Sequence, residues 1–413
     1  MVQDEIHKAI SVKQNEIRDW FIDQREDLHF PFYSSFDIRD SGYKVVPVDA
    51  NLFPAGFNNI CQTDKDNTVD LVKDYFLKHY PESFKKIVLL TEEHTNNPYY
   101  WDNVFTLKTL IESAGKEVRV AIPKELPEPL HLQSANGQMV TVYGAQRKGG
   151  SLDIQGFSPD LIISNNDFSF DYQDWADGLD IPMNPPREMG WYQRKKSDFF
   201  HVYNNLVEEF CNIIDIDPWL MNVRTEKFEK FDINDESSRG ELANHVDLFL
   251  GEIQKEYDRR GVKNKPTVFI KNNSGTYGLG VIKADSGDEV RSWSYKSRKK
   301  MKAAKGGGGF TEVIIQEGVP TTVQAEGASA EPAIYMLGCQ LAGGFLRTHS
   351  EKGPDESLNS PGAVYRRLCV SDLSIDVEGN PMENVYGWVG KLGFLSIAIE
   401  AKNHGVTLKG YRP

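Results

Sequence analysis

The sequence predicts a protein of mixed α/β class, with an α/β segment, a helical connecting segment and an α+β segment in that order. Short apolar runs alternate with helix-like patterns up to about residue 186, which is typical of an open α/β sheet. Residues 187–260 instead repeat their apolar positions at helical spacing, and after residue 264 short strands, glycine clusters and basic residues take over. We therefore predict three regions, 1–186, 187–264 and 265–413, without an internal repeat.

The first segment opens with an amphipathic helix and continues as alternating strands and helices. The helix carries Ile6, Ile10, Ile17, Trp20 and Phe21, and the polar stretch 34–41 ends it. A strand starts near residue 43 and breaks into a loop after residue 53. Further strands are predicted at 86–90, 118–122 and 161–164, and helices at 69–79 and 101–114.

The composition argues against several functional classes. The 413 residues include 47 basic and 60 acidic ones, and a net charge of -13 disfavours general nucleic-acid binding. Residues 265–413 are nevertheless slightly positive and suit a polyanion better than the rest of the chain. The apolar run 392–401 is too short to span a membrane, and the N-terminus lacks a signal-peptide pattern. We expect a soluble cytoplasmic protein with no nucleic-acid or membrane partner.

The four cysteines are widely separated and form no C-x-x-C pair, which argues against a zinc or redox motif. They are Cys61, Cys211, Cys339 and Cys369. No activating context surrounds any of them, so we expect free, buried, structural thiols.

The most informative segment is TVFIKNNSGTYGLGVIKA, residues 267–284. A strand at 268–270 delivers Lys271 to its end, and a second strand returns at 281–283. The glycines between them allow backbone N–H groups to approach an anion, so phosphate is the natural ligand. The pattern is neither a P-loop nor a Rossmann fingerprint, and by itself a plain tight turn explains it better. The candidate phosphate contacts are Lys271, Ser274, Gly275, Thr276, Tyr277, Gly278 and Gly280.

A second strand at 313–315 runs into Gln316, Glu317, Gly318 and Val319, which suit an adenine ring and its polar edge. Together with the lysine strand and the glycine hairpin, this hinge resembles an ATP-grasp nucleotide site. Between the two elements, residues 291–305 hold seven basic residues and no acidic one. A solvated helix face explains most of these side chains. One of them, Lys300 or Lys302, is a further candidate for the phosphates, and residues 306–309 form a loop or linker.

A third segment, residues 331–362, contains two strands, and the second delivers Arg347 to its end. An arginine there is placed to neutralise charge on a phosphoryl group in transfer. Glu351, Asp355, Glu356 and Asn359 follow with the hard oxygen atoms that Mg²⁺ prefers. Turn formation around the neighbouring prolines explains the same residues equally well.

Polar side chains also follow two strands of the first segment, at 91–97 and 165–167. Open α/β sheets bind ligands beyond the carboxyl ends of their strands, which makes both segments candidates for substrate binding. Helix capping and turn formation account for them slightly better.

Across most of its length the sequence resembles the bacterial ATP-grasp type of glutamate–cysteine ligase. The matching stretches, in order, are VDANLFPAGFNN (48–59), EEHTNNPYYWDNV (92–104), NND (165–167), GWYQRKKSDFF (190–200), IDPWL (216–220), GTYGLGV (275–281), VIIQEGV (313–319) and GGFLRTHSEKGPDESLNSPGA (343–363). The resemblance implies an N-terminal pre-ATP-grasp-like domain and a C-terminal ATP-grasp domain. It also implies the first step of glutathione synthesis, in which ATP and Mg²⁺ convert glutamate to γ-glutamyl phosphate and the cysteine amine then displaces phosphate.

The resemblance assigns roles to individual positions. Lys271 and the 274–280 loop hold the phosphates, residues 316–319 hold adenine, and Arg347 and Lys271 serve catalysis. The implied metal ligands are Glu331, Asp355, Glu356 and Asn359. The implied substrate contacts are Asp49, Asn51, Asn58, Glu92, Glu93 and Asn165, with Arg194 or Lys195 for a carboxylate.

One departure from the family pattern lies at residues 272–274, where Asn272, Asn273 and Ser274 stand in place of Ala-Asp-Ala. The glycine hairpin is kept, but an acidic residue is lost. Two alternatives remain. An ATP-grasp ligase for another acid or amine is one, because the nucleotide site is predicted more specifically than the substrate pocket. The other is a nucleotide-binding homologue without activity, which the change at 272–274 supports. The oligomeric state and the order of substrate binding do not follow from the sequence.

Overall fold

Three sheets of four or more strands organise the fold in the computed structural model, which describes residues 2–93, 97–275, 280–294, 297, 299 and 311–413. The helices are α1 (Val2–Val12), α2 (Gln14–Arg25), α3 (Gln62–His79), α4 (Pro98–Ser113), α5 (Gln173–Ala176), α6 (Lys196–Ile213), α7 (Glu236–Arg260), α8 (Gly287–Arg291) and α9 (Val385–Asn403). Short 3-10 helices span Phe57–Asn59, Arg187–Met189, Pro218–Leu220 and Val370–Leu373.

The strands alternate with these helices in the first half of the chain and dominate the second half. They are β1 (Tyr33–Asp40), β2 (Val45–Asn51), β3 (Lys86–Leu90), β4 (Glu117–Ile122), β5 (Leu130–Gln133), β6 (Met139–Gly144), β7 (Gln146–Lys148), β8 (Ser151–Asp153), β9 (Leu161–Ser164), β10 (Met183–Asn184), β11 (Thr225–Phe228), β12 (Val268–Asn272), β13 (Val281–Ala284), β14 (Val313–Glu317), β15 (Gln324–Ala325), β16 (Ala328–Leu337), β17 (Gln340–His349), β18 (Val364–Leu368), β19 (Ser374–Val377) and β20 (Asn380–Glu383).

The first sheet has the order β10-β9-β3-β4-β6-β5 and is parallel except at β5. Ile87, Val88, Leu89 and Leu90 of β3 are fully buried, as expected for a parallel strand covered on both faces. The predicted strands at 86–90 and 161–164 are confirmed, and the strand at 118–122 is confirmed to within one residue.

The second sheet, which we call the central sheet, joins strands from both ends of the chain in the order β18-β17-β16-β1-β2, with β15 paired to β16. Its strands run antiparallel. The prediction that the polar stretch 34–41 only ends a helix is wrong, because this stretch forms buried β1. Phe36 and Ile38 enter the core, while Asp37 and Arg39 find ion-pair partners inside the protein.

The third sheet, which we call the lysine sheet, is antiparallel with the order β11-β14-β12-β13. It packs on α7 and α8 around a separate apolar core that includes Val246, Phe249, Ile270 and Ile315. The connecting segment 187–260 contains α6 and α7 as predicted, but β11 lies between them and joins the lysine sheet. The boundaries at 186 and 264 remain predictions, and β1 and β11 form sheet pairs across them.

The terminal helix α9 packs on the central sheet and contains the apolar run 392–401. The predicted opening helix is two helices, α1 and α2, with Lys13 between them. Among the described residues, no helix combines the length and the hydropathy that a membrane crossing requires.

The cysteine prediction is wrong for one pair. Cys61 and Cys369 are joined as a disulfide, although 308 positions separate them in sequence. The chain brings them together because the end of β18 lies beside the short helix that precedes Cys61, a contact that spacing does not reveal. Cys211 and Cys339 are buried free thiols, as predicted.

Candidate functional site

A cleft lies between the central sheet and the lysine sheet. Three carboxylates and three cations line it, together with apolar and small polar residues. The lining residues are Asp37, Arg39, Val48, Asp49, Lys196, Phe269, Lys271, Asn272, Gly275, Val281, Val319, Glu331, Ser357 and Asn359. A cleft with this balance of charge is close to neutral, so a polyanionic ligand requires additional positive charge.

The central-sheet wall of the cleft is a row of paired charges. Strand pairing places Asp37 opposite Asp49, and Glu331 opposite Arg347. Arg347 Nη1 donates to Asp37 Oδ2 at 2.8 Å and to Glu331 Oε1 at 2.6 Å. Arg39 Nε lies 2.7 Å from Glu331 Oε2. Each cation on this wall is therefore already neutralised by protein carboxylates.

The two arginines keep Glu331 ionised in a buried position. Burial raises the pKa of Glu331, but Arg39 and Arg347 outweigh it and hold this pKa below its usual value. Asp37 has only Arg347 for compensation, so burial, aided by Glu331, raises the pKa of Asp37. The pKa values of Glu331 and Asp37 therefore shift in opposite directions because Glu331 has a second arginine partner, Arg39.

The opposite wall presents Lys271 from the end of β12. Its Nζ donates to the backbone oxygen of Val48 and to Gln316 Oε1, both at 2.7 Å. Burial lowers the pKa of Lys271 to about 8; Lys196 and Arg39 also lower it, whereas Asp49 raises it. A buried ammonium held by neutral acceptors retains much of its attraction for an anionic ligand.

Lys196 and Asp49 form a further ion pair in the cleft, with Nζ and Oδ1 2.5 Å apart. Burial raises the pKa of Asp49, but Lys196 and Lys271 outweigh it and lower this pKa. Asp49 therefore carries a negative charge beside the two lysines.

The predicted phosphate loop is described in part. Gly275 lines the cleft, and Ser274 Oγ donates to the backbone oxygen of Arg194 at 3.1 Å. Gly280 has a φ of +66°, which favours glycine, and its oxygen accepts a hydrogen bond from Asn272 N. Thr276, Tyr277 and Gly278 lie outside the described residues, as do Lys300, Lys302 and residues 306–309.

The departure at 272–274 has a structural role. Asn273 Oδ1 accepts from Ser197 N at 2.9 Å, and the oxygen of Asn273 accepts from Lys196 N at 2.8 Å. Asn272 Oδ1 accepts from Ser274 N at 3.1 Å. These bonds attach the first turn of α6 to the lysine sheet, next to the cleft lysine that α6 supplies.

The predicted adenine hinge is divided by the structure. Val319 lines the cleft. Gln316 is buried and does not line it, but its Oε1 accepts a hydrogen bond from the cleft residue Lys271. Glu317 does not line the cleft, because its carboxylate forms a buried ion pair with Lys44 at 2.7 Å. A Cβ at Gly318 would lie 2.1 Å from Thr267 Oγ1, so only glycine fits at this turn.

The predicted metal ligands are also divided. Glu331 and Asn359 line the cleft, whereas Asp355 contacts Lys283 and Glu356 contacts Lys352 outside it. The carboxylate and amide oxygens of the lining residues suit a hard cation such as Mg²⁺. In the described part of the chain, the metal-type side chains whose ligand atoms cluster within 4.8 Å are instead Cys61, Asp64 and Cys369, and the two sulfur atoms there are bonded to each other.

The predicted carboxylate-binding residues already have partners. The guanidinium of Arg194 is buried against Glu400, with two bonds of 2.9 Å, and donates to the oxygen of Ala50. Lys195 lies 3.2 Å from Glu312. The residue of this segment that lines the cleft is Lys196, one position further on.

The remaining substrate candidates lie outside the cleft lining, except Asp49. Asn165 is buried, and its Nδ2 donates to Tyr33 Oη and to the oxygen of Pro54. Glu92 accepts from Asp167 N, and Glu93 pairs with Lys124. Asn51 ends β2, and Asn58 belongs to the short helix before Cys61. Their contact with substrates remains a prediction.

Sequence reasoning missed Asp37, Arg39 and Lys196. A period-two pattern was present, because Phe36 and Ile38 alternate with Asp37 and Arg39 in the way of a strand with one apolar face. The polarity of the stretch concealed that signal. Lys196 had no comparable signal, since its neighbour Lys195 is equally basic.

Comparison with known proteins identifies a family for most of the chain. A family model described as glutamate-cysteine ligase matches residues 7–401. A solved structure from Methylobacillus flagellatus KT, provisionally named a gamma-glutamylcysteine synthetase, is 34% identical, covers 97% of this chain and 96% of its own, and has a TM-score of 0.86. A second solved structure, D-alanyl-alanine synthetase A from Vibrio cholerae O1 biovar eltor str. N16961, is 12% identical, covers 78% of this chain and 81% of its own, and has a TM-score of 0.35. Comparison with curated proteins found no match.

Proposed function

Because the chain belongs to the glutamate–cysteine ligase family and is a ligase, we propose that ATP and Mg²⁺ drive the joining of glutamate and cysteine in the cleft between the central and lysine sheets. The observation that carries this proposal is Lys271. It is buried in the cleft and bonded to neutral acceptors, where an anionic ligand gains most from its charge.

In this proposal the two sheets form the two halves of an ATP-grasp site. Lys271 and the backbone of Gly275 bind phosphate oxygens, and Val319 with Phe269 covers the adenine ring. Gln316 orients the lysine by accepting one of its protons in a hydrogen bond. Glu317 supports the hinge from behind through its ion pair with Lys44.

Asp37, Asp49, Glu331 and Asn359 all line the cleft, and their oxygen atoms are the hard donors that a magnesium ion prefers. Bound there, Mg²⁺ would neutralise phosphate charge and polarise the phosphoryl group. Among the described residues Arg347 Nε is buried without a hydrogen-bond partner, so this arginine retains one donor.

The proposed chemistry requires positioning and positive charge rather than a protein nucleophile. The γ-carboxylate of glutamate attacks the terminal phosphorus of ATP, ADP leaves, and the cysteine amine displaces phosphate from γ-glutamyl phosphate. Lys271 and Lys196 supply charge at the phosphates, and Arg347, which does not line the cleft, positions Asp37 and Glu331 in its wall. Cys211 and Cys339 are buried, and burial raises the pKa of the Cys211 thiol to about 12. Neither thiol is therefore suited to nucleophilic attack.

The direct test measures ADP release from Mg-ATP with glutamate, with cysteine, and with both amino acids. Release that requires both, with γ-glutamylcysteine as the product, is the expected result. Release with another acid in place of glutamate would favour a related ligase instead. No release under any condition would leave a nucleotide-binding protein without catalysis.

A matched pair of variants links the activity to the cleft. Lys271→Met removes the cleft cation, and Lys283→Met removes a lysine on the neighbouring strand that lies outside the lining. Only the first is expected to abolish cysteine-dependent ADP release. Equal losses in both would contradict the placement of the site.

A further inference from the structure

Arg39 connects three parts of the molecule through a single guanidinium. It lies on β1, between β16 and β2 of the central sheet, and its side chain is 5% exposed. Its Nε lies 2.7 Å from Glu331 Oε2, its Nη1 donates to the oxygen of Pro354 at 2.8 Å, and its Nη2 donates to the oxygen of Glu356 at 2.7 Å. All three nitrogen atoms of the planar fork are therefore used at short distances.

The second and third of these bonds hold the acidic loop, which we define as residues 350–361. This loop has no helix or strand of its own. Several of its other bonds are internal, such as Gly353 N to Glu356 Oε2 and Lys352 to Glu356. Thr321 N also binds the oxygen of Pro354, and Leu358 is fully buried. Arg39 adds the direct connection from the loop backbone to β1.

The acidic loop supplies Ser357 and Asn359 to the cleft lining, and β16 supplies Glu331. A rigid guanidinium that binds Glu331 and the loop backbone together fixes the spacing between these oxygen atoms. Lysine in the same place would provide the charge but not the geometry, because an ammonium is a point charge on a flexible stem.

We propose that Arg39 is the positioning residue that holds Glu331 and the acidic loop in one frame, ready to receive the magnesium-bound phosphates before any ligand arrives. The proposal rests on the proposed function and extends it to a residue from the opposite end of the chain. Arg39 acts through its partners and does not itself contact the reacting atoms.

The test compares Arg39→Lys and Arg39→Met with the wild type. Both variants are expected to raise the half-saturating concentration of Mg²⁺ at fixed ATP about tenfold or more. The Michaelis constants for glutamate and cysteine should change much less. Binding of Mn²⁺ with ADP, followed by electron paramagnetic resonance, should weaken in parallel without any turnover. Arg366→Lys is the matched control, since Arg366 forms an exposed ion pair with Glu326.

Unchanged Mg²⁺ dependence and Mn²⁺ binding in a folded Arg39 variant would overturn the proposal. A wild type that needs no divalent cation would instead overturn the metal part of the proposed function, so the two failures are distinguishable. If neither variant folds, hydrogen exchange in the wild type decides. Amides of residues 351–359 protected before ligand addition support the proposal, and amides that become protected only with Mg²⁺ and an ATP analogue refute it.

Discussion

Two buried lysines in different regions of the molecule differ in the partners that compensate their charges. Lys44, behind the hinge, forms an ion pair with Glu317 at 2.7 Å and lies 4.6 Å from the ring centre of Trp219. Lys271, in the cleft, donates to a backbone oxygen and a neutral amide. Burial lowers the pKa of both. The difference indicates that the first charge is committed to the fold, whereas the second is kept for a ligand.

The largest expected effect on stability comes from Lys44→Met. It leaves Glu317 as a buried charge without its partner, which costs about 3–5 kcal/mol of stability. The unfolding midpoint measured by circular dichroism should fall accordingly. The double variant Lys44→Met with Glu317→Gln removes both charges and should recover much of the loss. A single variant as stable as the wild type would contradict the structural role of this pair.

Lys271→Met is expected to act in the opposite way, with a large loss of activity and no loss of stability. Removing a charge that contacts phosphate in a water-excluded site should lower kcat/KM for ATP by about a hundredfold or more. The unfolding midpoint at pH 7 should stay equal or rise, because burial of this ammonium disfavours the folded state. A large drop in stability would mean that the two lysines do not differ as described.

The pH dependence sharpens the same comparison. Since the pKa of Lys271 is about 8 in the folded protein, kcat/KM for ATP should fall as the pH rises through about 8. Between that pH and the usual lysine pKa the unfolded chain binds more protons than the folded one, so stability should rise with pH in this window. Lys271→Met should remove both trends, whereas Lys283→Met, on the neighbouring strand, should keep them.

The smallest effects are expected in the acidic loop. Asp355→Asn and Glu356→Gln alter side chains that contact lysines at partly exposed positions, which contributes little to stability. We expect changes of less than about threefold in the half-saturating Mg²⁺ concentration, against a clear rise for Asn359→Ala, whose side chain lines the cleft. Equal effects at all three positions would show that the whole loop, rather than its cleft-facing part, contributes to the site.

The sequence predicted those parts of the fold that local patterns encode. The apolar runs of β3 and β9 gave exact strand bounds, and Lys271 was placed at the end of its strand because the glycine hairpin follows directly. Of the predicted site residues, Lys271, Gly275, Val319, Glu331 and Asn359 line one cleft. Their contact with a nucleotide remains a prediction.

The unpredicted parts depend on long-range pairing. β1 was missed because its charged residues are satisfied by Arg347 and Glu331, far away in sequence. Arg194 was assigned to a substrate carboxylate, yet Glu400 of α9 occupies it. The Cys61–Cys369 bond has the same cause. A single sequence gives the polarity of a side chain, but it does not reveal the distant partner that compensates the desolvation of a buried charge.

The position of β1 between β16 and β2 has a consequence for how the protein is made. During synthesis β1 emerges early, and its inner edge has no neighbour until the last quarter of the chain leaves the ribosome. The cleft wall that contains Asp37 and Arg39 is therefore among the last parts to close. Fragments that end before β16 would expose an unpaired strand edge and are expected to aggregate rather than bind nucleotide.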